Sequence, residues 1–455
     1  MIRFIGRKPE LRILADEWSS PGAKLIILYG RRRIGKTTLL SEFFTDKNGV
    51  FYISEDVYYK LQVDDLRKYL AEFFHDEFLQ NATINEWEGL FQYLPKVIDP
   101  GKRFFIVLDE FTYLIKNGRS ILTGLQRLWD TFLGKTNVFL VLCGSNLGMM
   151  RDEVLSYYSP LYGRRTRDML LAPFDFNNAM KFLNMSFEEK LLLYMTIGGI
   201  PEYLRRASGY VDYHNFVERE FGDANGYFYR EPYFILAQEF REYNTYFSIL
   251  NAISFGKNKP SEIAGYIGME SKRLYPYLEN LMKLMFISKA TPIDDRKGAG
   301  HYELTDSMMQ FWFNYVFLNR EFIERGSNQL AFDYPAYFGR IFEKFVRNEL
   351  FKFLYPTFRI GTWWYKDTEI DVVAISQKND EIVFCECEWK DRVDHTRILP
   401  DLKRKSEKFL QGKKVGKISY QIVARSFRNK THEEELILTD LSDMEEIFTR
   451  FSRSD

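Results

Sequence analysis

The sequence predicts a multidomain α/β protein, and three features of the 455-residue chain lead to this prediction. In the first third, an apolar run precedes a glycine- and lysine-rich loop and a helical pattern, the order of a strand, a phosphate-binding loop and a helix. Further along, three helical patterns precede two short β-rich runs. In the last third, apolar and charged residues alternate with the period of a half-buried strand. A chain of this length accommodates three domains of ordinary size.

Composition limits the classes of partner and compartment. Lys and Arg together number 63, as do Asp and Glu, so the net charge is zero and nucleic-acid binding would require a local basic patch. The three cysteines show no metal or disulfide spacing, which favours a reducing compartment. The N-terminus lacks the apolar core of a signal peptide, and no run approaches membrane-spanning length. We therefore expect a soluble cytoplasmic protein without a membrane partner.

The phosphate-binding loop follows the apolar run 25–29 and fits the pattern G-x-x-x-x-G-K-[ST]. Its glycines let the backbone curl so that N–H groups point at a phosphate, and the following helix N-terminus adds positive potential. Lys36 is expected to reach the β- and γ-phosphates, and the Thr37 hydroxyl to ligate Mg²⁺. The expected cofactors are ATP and Mg²⁺, and the candidate binding residues are Gly30, Arg31, Arg32, Arg33, Ile34, Gly35, Lys36, Thr37 and Thr38.

An apolar run at 103–108 ends in two carboxylates, Asp109 and Glu110. A carboxylate at the end of a buried strand can hold Mg²⁺ through water, which is the role expected of Asp109. Glu110, one residue further on, is the candidate base that polarises the attacking water.

The next apolar run, 138–143, ends in small polar residues, and an arginine pair follows it. If this strand lies between the loop strand and the Asp-Glu strand, Ser145 or Asn146 comes near the γ-phosphate. Arg164 is a candidate contact to γ-phosphate charge, either in cis or from a neighbouring subunit. The alternative is an exposed, solvated arginine.

These motifs resemble the archaeal-type ATPase family, which is related to the AAA+ and STAND NTPases. The resemblance covers about the first half of the chain and rests on the segments 4–7, 29–37, 108–111, 142–145, 161–164 and 198–204. It implies an ASCE-type P-loop core over residues 1–175 and a helical lid over 176–240. It also implies that Pro201 touches the nucleotide, whereas the residues alone indicate only a helix break at 198–201.

Residues 241–325 have the pattern of a winged helix-turn-helix. Three helices are predicted around 246–253, 260–268 and 274–285, followed by strands at 286–290 and 302–304. Ser271, Lys272 and Arg273 would open the recognition helix, where base or phosphate contacts are made. Arg296 and Lys297 lie in the wing, and the neighbouring Asp294 and Asp295 offset their positive charge. Double-stranded DNA is therefore a candidate partner, and a packing module is the alternative.

The last third carries a third group of candidate residues. Glu343 lies at the edge of a helix, Asp371 on a strand, and Glu386, Glu388 and Lys390 on one face of the next strand. Carboxylates brought together in this way predict a Mg²⁺ site, with Lys390 assisting the nucleophile.

This arrangement resembles the restriction-endonuclease-like fold with its Asp…(Asp/Glu)-x-Lys signature, over residues 330–455. In the alignment that the resemblance implies, the lysine position falls on Glu388, and Lys390 is the candidate replacement. The alternatives are a domain that binds DNA without cutting it and a merely solvated strand face.

Two functions remain in competition. The first is an ATP-gated, DNA-directed nuclease in genome maintenance or defence, with a homo-oligomer as a candidate assembly. The second is a STAND-like signalling switch whose C-terminal domains bind partners or DNA without catalysis.

Overall fold

The computed structural model describes residues 4–294, 300–327, 332–413, 415–431 and 433–452. The described chain forms two compact units. The first comprises the residues up to Pro173 together with Ile200–Glu202, and the second comprises Phe174–Gly199 and the residues from Tyr203 onward. The first unit ends within two residues of the boundary predicted at 175. The predicted boundaries near 240 and 330 both fall inside the second unit and stay predictions.

The first unit is built on a parallel sheet of five strands, all within its described residues. The strand order is β2-β3-β4-β1-β5, so β4 lies between the loop strand and the Asp-Glu strand, as the prediction for Ser145 required. Strands β1, β3 and β4 are almost entirely buried because helices cover both faces of a parallel sheet, and their near-continuous apolar sequences suit that position. The strands are β1 (Lys24–Tyr29), β2 (Gly49–Ile53), β3 (Phe104–Asp109), β4 (Val138–Gly144) and β5 (Arg167–Leu170).

Apart from α1, which precedes β1, the helices of this unit connect successive strands, the arrangement that parallel pairing requires. They are α1 (Lys8–Ser19), α2 (Lys36–Phe44), α3 (Tyr59–Phe74), α4 (Glu77–Asn81), α5 (Trp87–Val97), α6 (Phe111–Asn117), α7 (Ser120–Thr131) and α8 (Leu147–Met149). Trp18 of α1 and Phe43 and Phe44 of α2 pack around Phe139 of β4, which anchors the helix that follows the phosphate-binding loop.

The chain then enters a mainly helical region that belongs largely to the second unit. Its helices are α9 (Phe176–Ala179), α10 (Phe187–Ile197), α11 (Pro201–Ala207), α12 (Tyr213–Glu220) and α13 (Glu231–Glu239). Ser186 and Glu189 form a capping box at the start of α10, so this helix begins where the chain satisfies its first free N–H groups.

The segment predicted as three helices and a hairpin contains these elements. They are α14 (Tyr243–Ser254), α15 (Pro260–Ile267), α16 (Ser271–Lys283), β6 (Ile287–Ala290) and β7 (His301–Leu304), and the two strands pair antiparallel. Gly268 ends α15 in the left-handed conformation at φ 73°. The wing residues Asp295, Arg296 and Lys297 lie outside the described residues.

The last part of the chain holds a mixed five-stranded sheet, as far as the structure describes it. The order is β12-β11-β10-β9-β8, with β8, β9 and β10 antiparallel and β10, β11 and β12 parallel. The elements, in chain order, are α17 (Ser307–Trp312), α18 (Leu318–Glu324), α19 (Tyr334–Phe345), α20 (Phe351–Leu354), β8 (Arg359–Tyr365), β9 (Thr368–Ile375), β10 (Glu381–Glu388), α21 (His395–Leu410), β11 (Lys417–Ala424), β12 (Leu436–Thr439) and α22 (Leu441–Ser452). Strand β9 and α21 share a core around Trp363, Phe384 and Phe409.

Across all of the described residues, every helix is too short or too polar to serve as a membrane span.

Candidate nucleotide site and carboxylate cluster

The phosphate-binding loop turns between β1 and α2 through two left-handed residues. Arg33 has φ 67° and Gly35 has φ 86°, and α2 begins directly afterwards at Lys36. A Cβ at Gly30 would lie 2.6 Å from the carbonyl oxygen of Leu171, so only glycine fits this close backbone approach. The local sequence therefore imposes the curl that the motif predicted.

Lys36 folds over the loop that precedes it. Its Nζ donates to the carbonyl oxygens of Gly30 and Arg31 at 3.0 Å each, and the side chain is buried. Burial lowers the pKa of Lys36, and the nearby Cys143, Glu110 and Asp109 oppose that shift. The ammonium group thus lies inside the curl of the loop, among groups that favour its charged form.

Asp109 meets Thr37 across the site. The Thr37 hydroxyl donates to Asp109 Oδ2 at 2.5 Å, and Asp109 is 1% exposed. A hydroxyl and a carboxylate are the hard oxygen donors that Mg²⁺ prefers, so this pair fits the metal that ATP carries. When bound, Mg²⁺ would neutralise phosphate charge, and Thr37 and Asp109 would hold it.

Glu110 has a different environment from its neighbour. Its φ of 51° turns the chain at the end of β3, and its Oε2 accepts a hydrogen bond of 2.6 Å from the Ser145 hydroxyl. The position of β4 between β1 and β3 is what brings Ser145 there. Asn146, the other residue considered, instead caps α8 by accepting from the Met149 N–H at 2.8 Å.

Three further residues lie against the loop. Pro201, the first residue of α11, has its Cγ 3.9 Å from the place a Cβ on Gly35 would occupy. Arg7 donates to the Ile34 carbonyl at 3.1 Å, and Tyr113 accepts from Arg32 at 2.7 Å. Sequence reasoning assigned no role to Arg7 or Tyr113, although Arg7 belongs to one of the motifs that carried the family resemblance. Thr38 is exposed in the first turn of α2.

Arg164 does not lie at the phosphate-binding loop of its own chain. The N–H of Thr166, two residues later, donates to the Leu25 carbonyl at the start of β1, whereas the loop follows the end of β1 at Tyr29. Four strand residues separate the two ends by about 13 Å. Asp130 holds the guanidinium through two hydrogen bonds of 2.7 Å. The expected contact in cis is therefore corrected, and a contact from a neighbouring subunit stays a prediction.

The second group of candidate residues lies on the C-terminal sheet. Val372 pairs with Cys385, so continuing the antiparallel register by one residue sets Asp371 opposite Glu386. The Cys387 N–H donates to Asp371 Oδ2 at 2.8 Å. Burial, together with the neighbouring carboxylates, raises the pKa of Asp371 to about 6 and the pKa values of Glu343 and Glu386 to about 8. The three carboxylates are thus close enough to repel one another's charge.

The cation at this cluster is Lys405, which sequence reasoning missed. Lys405 lies on α21 and donates to Glu386 Oε1 at 3.0 Å. Lys390 instead pairs with Glu388 at 2.7 Å and is 72% exposed. The helical spacing of Asp401 and Lys405, which pair at 3.4 Å, was the available signal, but only the packing of α21 on β10 directs Lys405 to Glu386.

The predicted four-carboxylate metal site is not assembled as expected. Within the described ranges, no group of three or more His, Cys, Asp or Glu side chains could hold a metal ion. Glu388 is turned toward Lys390, and its charge only adds to the raised pKa of Asp371. The pairing of β9 with β10 ends at Val372 and Cys385, so Glu388 lies three residues beyond the last paired residue of β10 on that side.

Comparison with known proteins identifies the class of the first unit. Residues 4–207 match a family described as an ATPase domain predominantly from Archaea, and residues 312–399 match one described as archaeal and bacterial proteins of unknown function. An uncharacterized protein of Methanocaldococcus jannaschii is 32% identical over 454 residues, covering 97% of this chain and 99% of the relative. An uncharacterized ATP-binding protein of the same organism is 49% identical over 47 residues, 10% of this chain and 80% of its own.

The chain therefore belongs to one family with this Methanocaldococcus jannaschii protein, carries an archaeal-type ATPase domain over residues 4–207, and is an ATP-binding ATPase. Among solved structures, the Walker-type ATPase of Pyrococcus abyssi is 22% identical, covers 68% of this chain and 96% of its own, and has a TM-score of 0.47. A STAND protein of Pyrococcus horikoshii with a tetratricopeptide repeat sensor is 17% identical, covers 76% and 50%, and has a TM-score of 0.30.

Proposed function

We propose that this ATPase uses Mg²⁺-dependent ATP hydrolysis to control a DNA-directed, nuclease-like C-terminal domain. The observation that carries the proposal is the group formed by Asp371, Glu386 and Lys405, in which two carboxylates on neighbouring strands are close enough for the Asp371 charge to raise the pKa of Glu386, and a lysine lies 3.0 Å from Glu386.

We propose the following roles at the nucleotide site, which its contacts support. Lys36 binds the β- and γ-phosphates, and Thr37 with Asp109 holds Mg²⁺, since they supply paired oxygen donors at 2.5 Å. Glu110 orients the attacking water and accepts its proton, while Ser145 fixes the position of the Glu110 carboxylate. Pro201 borders the nucleotide from the start of α11.

The order of elements in residues 330–455 supports a restriction-endonuclease-like fold. Helices α19 and α20, the antiparallel strands β8, β9 and β10, helix α21 and the parallel strands β11 and β12 follow one another before α22, and Asp371 and Glu386 lie on β9 and β10. In the Asp…(Asp/Glu)-x-Lys signature the lysine lies on the strand of the acidic residue. Here Lys405 supplies that cation from helix α21. Two carboxylates suit Mg²⁺, which often binds proteins through one or two carboxylates and takes other ligands from water and phosphate.

The segment 241–325 is proposed to bind duplex DNA as a winged helix. Lys272 and Arg273 are exposed at the start of α16, where a recognition helix makes its contacts, and the buried Leu274, Leu278 and Leu281 fix the opposite face.

A cleavage assay with plasmid and single-stranded DNA tests the proposal. The full chain is incubated with Mg²⁺ or Mn²⁺, with and without ATP, beside Asp371→Asn and Lys405→Met. Cleavage that needs metal, depends on ATP and is lost in both variants supports a nuclease. Cleavage retained by Asp371→Asn would show that another site or a contaminant cuts the DNA.

A signalling switch without cleavage is the second candidate, and one observation favours it. Asp371 and Glu386 already accept hydrogen bonds from protein donors, and the described residues offer no third acidic ligand in place. Titration of Mn²⁺ into the full chain, with Asp371→Asn as control, separates the two. Equal weak binding by both proteins would assign the cluster to a structural ion-pair network.

A further inference from the structure

We propose that the second unit binds a single nucleic-acid strand in a cleft that contains hairpin β6–β7, helix α19 and strands β8 and β9. The cleft has two adjoining lobes of about 530 and 550 Å³, which share Glu303, Lys344, Arg347, Thr362 and Trp364. Because these residues line both lobes, the two lobes are neighbours along one wall of the second unit. The inference rests on the proposed function in one respect, that the C-terminal domain acts on nucleic acid.

Cations dominate the first lobe. Lys289, Lys344, Arg347 and Lys352 line it, against the two carboxylates Glu303 and Glu349. Both acids are engaged by the protein itself. Glu303 accepts from Arg347 at 2.9 Å and pairs with His301 at 2.9 Å, and Glu349 accepts from the Tyr194 hydroxyl at 2.6 Å and the Phe176 N–H at 3.0 Å.

Two lysines are left to attract a ligand. Among the described residues, Lys289 and Lys352 make no hydrogen bond or ion pair, and both are exposed. Burial lowers the pKa of Lys344, and the charges of Glu303 and Glu343 oppose that shift. Arg347 is in contrast fixed by Thr362 at 2.6 Å and by Glu303, so it shapes the wall of the cleft. Two exposed ammonium groups at one lobe can pair with the phosphates of a nucleic-acid backbone.

An aromatic pair borders the second lobe. The rings of Trp364 and His301 lie 4.7 Å apart, and Trp364 is partly exposed to the cleft. A planar side chain beside a cationic groove is the arrangement that single-strand binders use, because every base offers a face for stacking. The same lobe ends at Glu343, Glu369 and Asp371, so a strand held by the lysines would lead to the carboxylate cluster.

The size of the cleft favours an unpaired strand over a duplex. Each lobe has the volume of a small-molecule pocket. An unpaired nucleotide fits such a lobe, whereas a base-paired duplex does not enter it. A free nucleotide and a strand share the same chemistry, so the experiment separates them.

Fluorescence anisotropy with a short labelled oligothymidylate tests the proposal on the full chain, without ATP and with EDTA present so that no cleavage occurs. The double variant Lys289→Gln/Lys352→Gln removes two exposed charges without touching the core. The matched control is Lys181→Gln/Lys378→Gln, which removes two exposed lysines outside the lining of the cleft. We expect about tenfold weaker binding in the cleft variant, with a salt slope lower by about 1.4, because each lost phosphate contact contributes about 0.7 for single strands.

Trp364→Ala is expected to weaken binding without changing the salt slope, since stacking releases no counterion. Unlabelled duplex and thymidine monophosphate serve as competitors and should displace the strand poorly. Equal affinity and slope in the cleft and control variants, no binding by the parental chain, or full competition by the mononucleotide or the duplex would overturn the proposal. Because metal and ATP are absent, a failed cleavage assay leaves this result unaffected.

Discussion

Glu110 and Asp109 are neighbours in the sequence, yet we propose separate roles for their carboxylates. Asp109 is buried and accepts from Thr37, whereas Glu110 turns away at a positive φ and accepts from Ser145. A buried carboxylate committed to a metal ligand cannot also move to orient water. This division is why we assign the base to Glu110 alone.

The variant Glu110→Gln should therefore bind ATP with unchanged affinity and lose turnover by about 10²- to 10⁴-fold, because an amide cannot accept the proton of water. Lys36→Ala should instead lose nucleotide binding. Nucleotide binding and phosphate release measured on the same preparations check both. The exposed Glu42→Gln on α2 is the matched control, and parental turnover in Glu110→Gln would disprove the assignment.

A second residue links stability to pH. Burial raises the pKa of Glu349 above its ordinary value of 4.5, although Tyr194 and the Phe176 N–H stabilise its charged form. The folded protein thus holds this proton more tightly than the unfolded chain. The resulting stabilisation is complete below pH 4.5 and is lost as the pH rises through the raised pKa.

Glu349→Gln cannot titrate, so the loss of stability between about pH 5 and about pH 8 should be smaller in the variant than in the parental protein. Between the two pH values, the melting temperature of Glu349→Gln should fall by roughly 2–4 °C less than that of the parental protein, as measured by thermal unfolding at both pH values. Glu321→Gln, at a largely exposed position, is the control. An identical pH dependence in Glu349→Gln and parental protein would rule out this linkage.

At the scale of elements, helix α16 is the proposed recognition helix. Its buried leucines recur on one face, and Lys272 and Arg273 are exposed in its first turn. The antiparallel hairpin β6–β7 follows it. The same arrangement serves as a packing module in other contexts, so only a binding measurement separates the two roles.

Lys272→Gln/Arg273→Gln should weaken binding to duplex DNA about tenfold and lower the salt slope by about 1.8, since each phosphate contact on duplex DNA contributes about 0.9. Anisotropy with a labelled duplex across several salt concentrations provides the measurement. Lys378→Gln/Arg397→Gln, also exposed, is the matched control. An unchanged slope would assign α16 to packing.

At the scale of the whole molecule, each unit carries its own chemistry. The phosphate-binding loop, the Asp-Glu pair and Pro201 all belong to the first unit. The carboxylate cluster, helices α14–α16 with hairpin β6–β7, and the cationic cleft all belong to the second. Of the residues predicted for the nucleotide site, Arg164 does not lie at the loop of its own chain, which directs attention to a second copy of the chain.

If a neighbouring subunit supplies Arg164, then Arg164→Ala and Lys36→Ala should each be inactive alone and partly active when mixed. The reason is that a mixed assembly pairs an intact loop with an intact arginine. ATP turnover of the mixture, compared with the sum of the separate proteins, is the measurement. Full activity of Arg164→Ala alone would leave this arginine a surface residue paired with Asp130.

Local sequence patterns were sufficient for much of the fold. Continuous apolar runs predicted the buried strands β1, β3 and β4, and helical spacing predicted α14, α15 and α16 close to their observed bounds. The C-terminal carboxylates Asp371 and Glu386 were also predicted on strands that meet. The assisting lysine was assigned to Lys390 because the strand motif places the lysine two residues after a glutamate on the same strand. Lys405 instead contacts Glu386 from a helix packed on the sheet.

By itself, the sequence determined the phosphate-binding loop, the order of elements and the positions of the acidic residues, because these depend on steric and periodic properties of neighbouring residues. Tertiary structure alone decided that β4 separates β1 from β3, that Arg164 lies near the start of β1 and not near the loop that follows its end, and that Lys405 pairs with Glu386. Each of these depends on strand order or helix packing between residues far apart in the chain. Such contacts are set by the burial of whole faces, which no local pattern specifies.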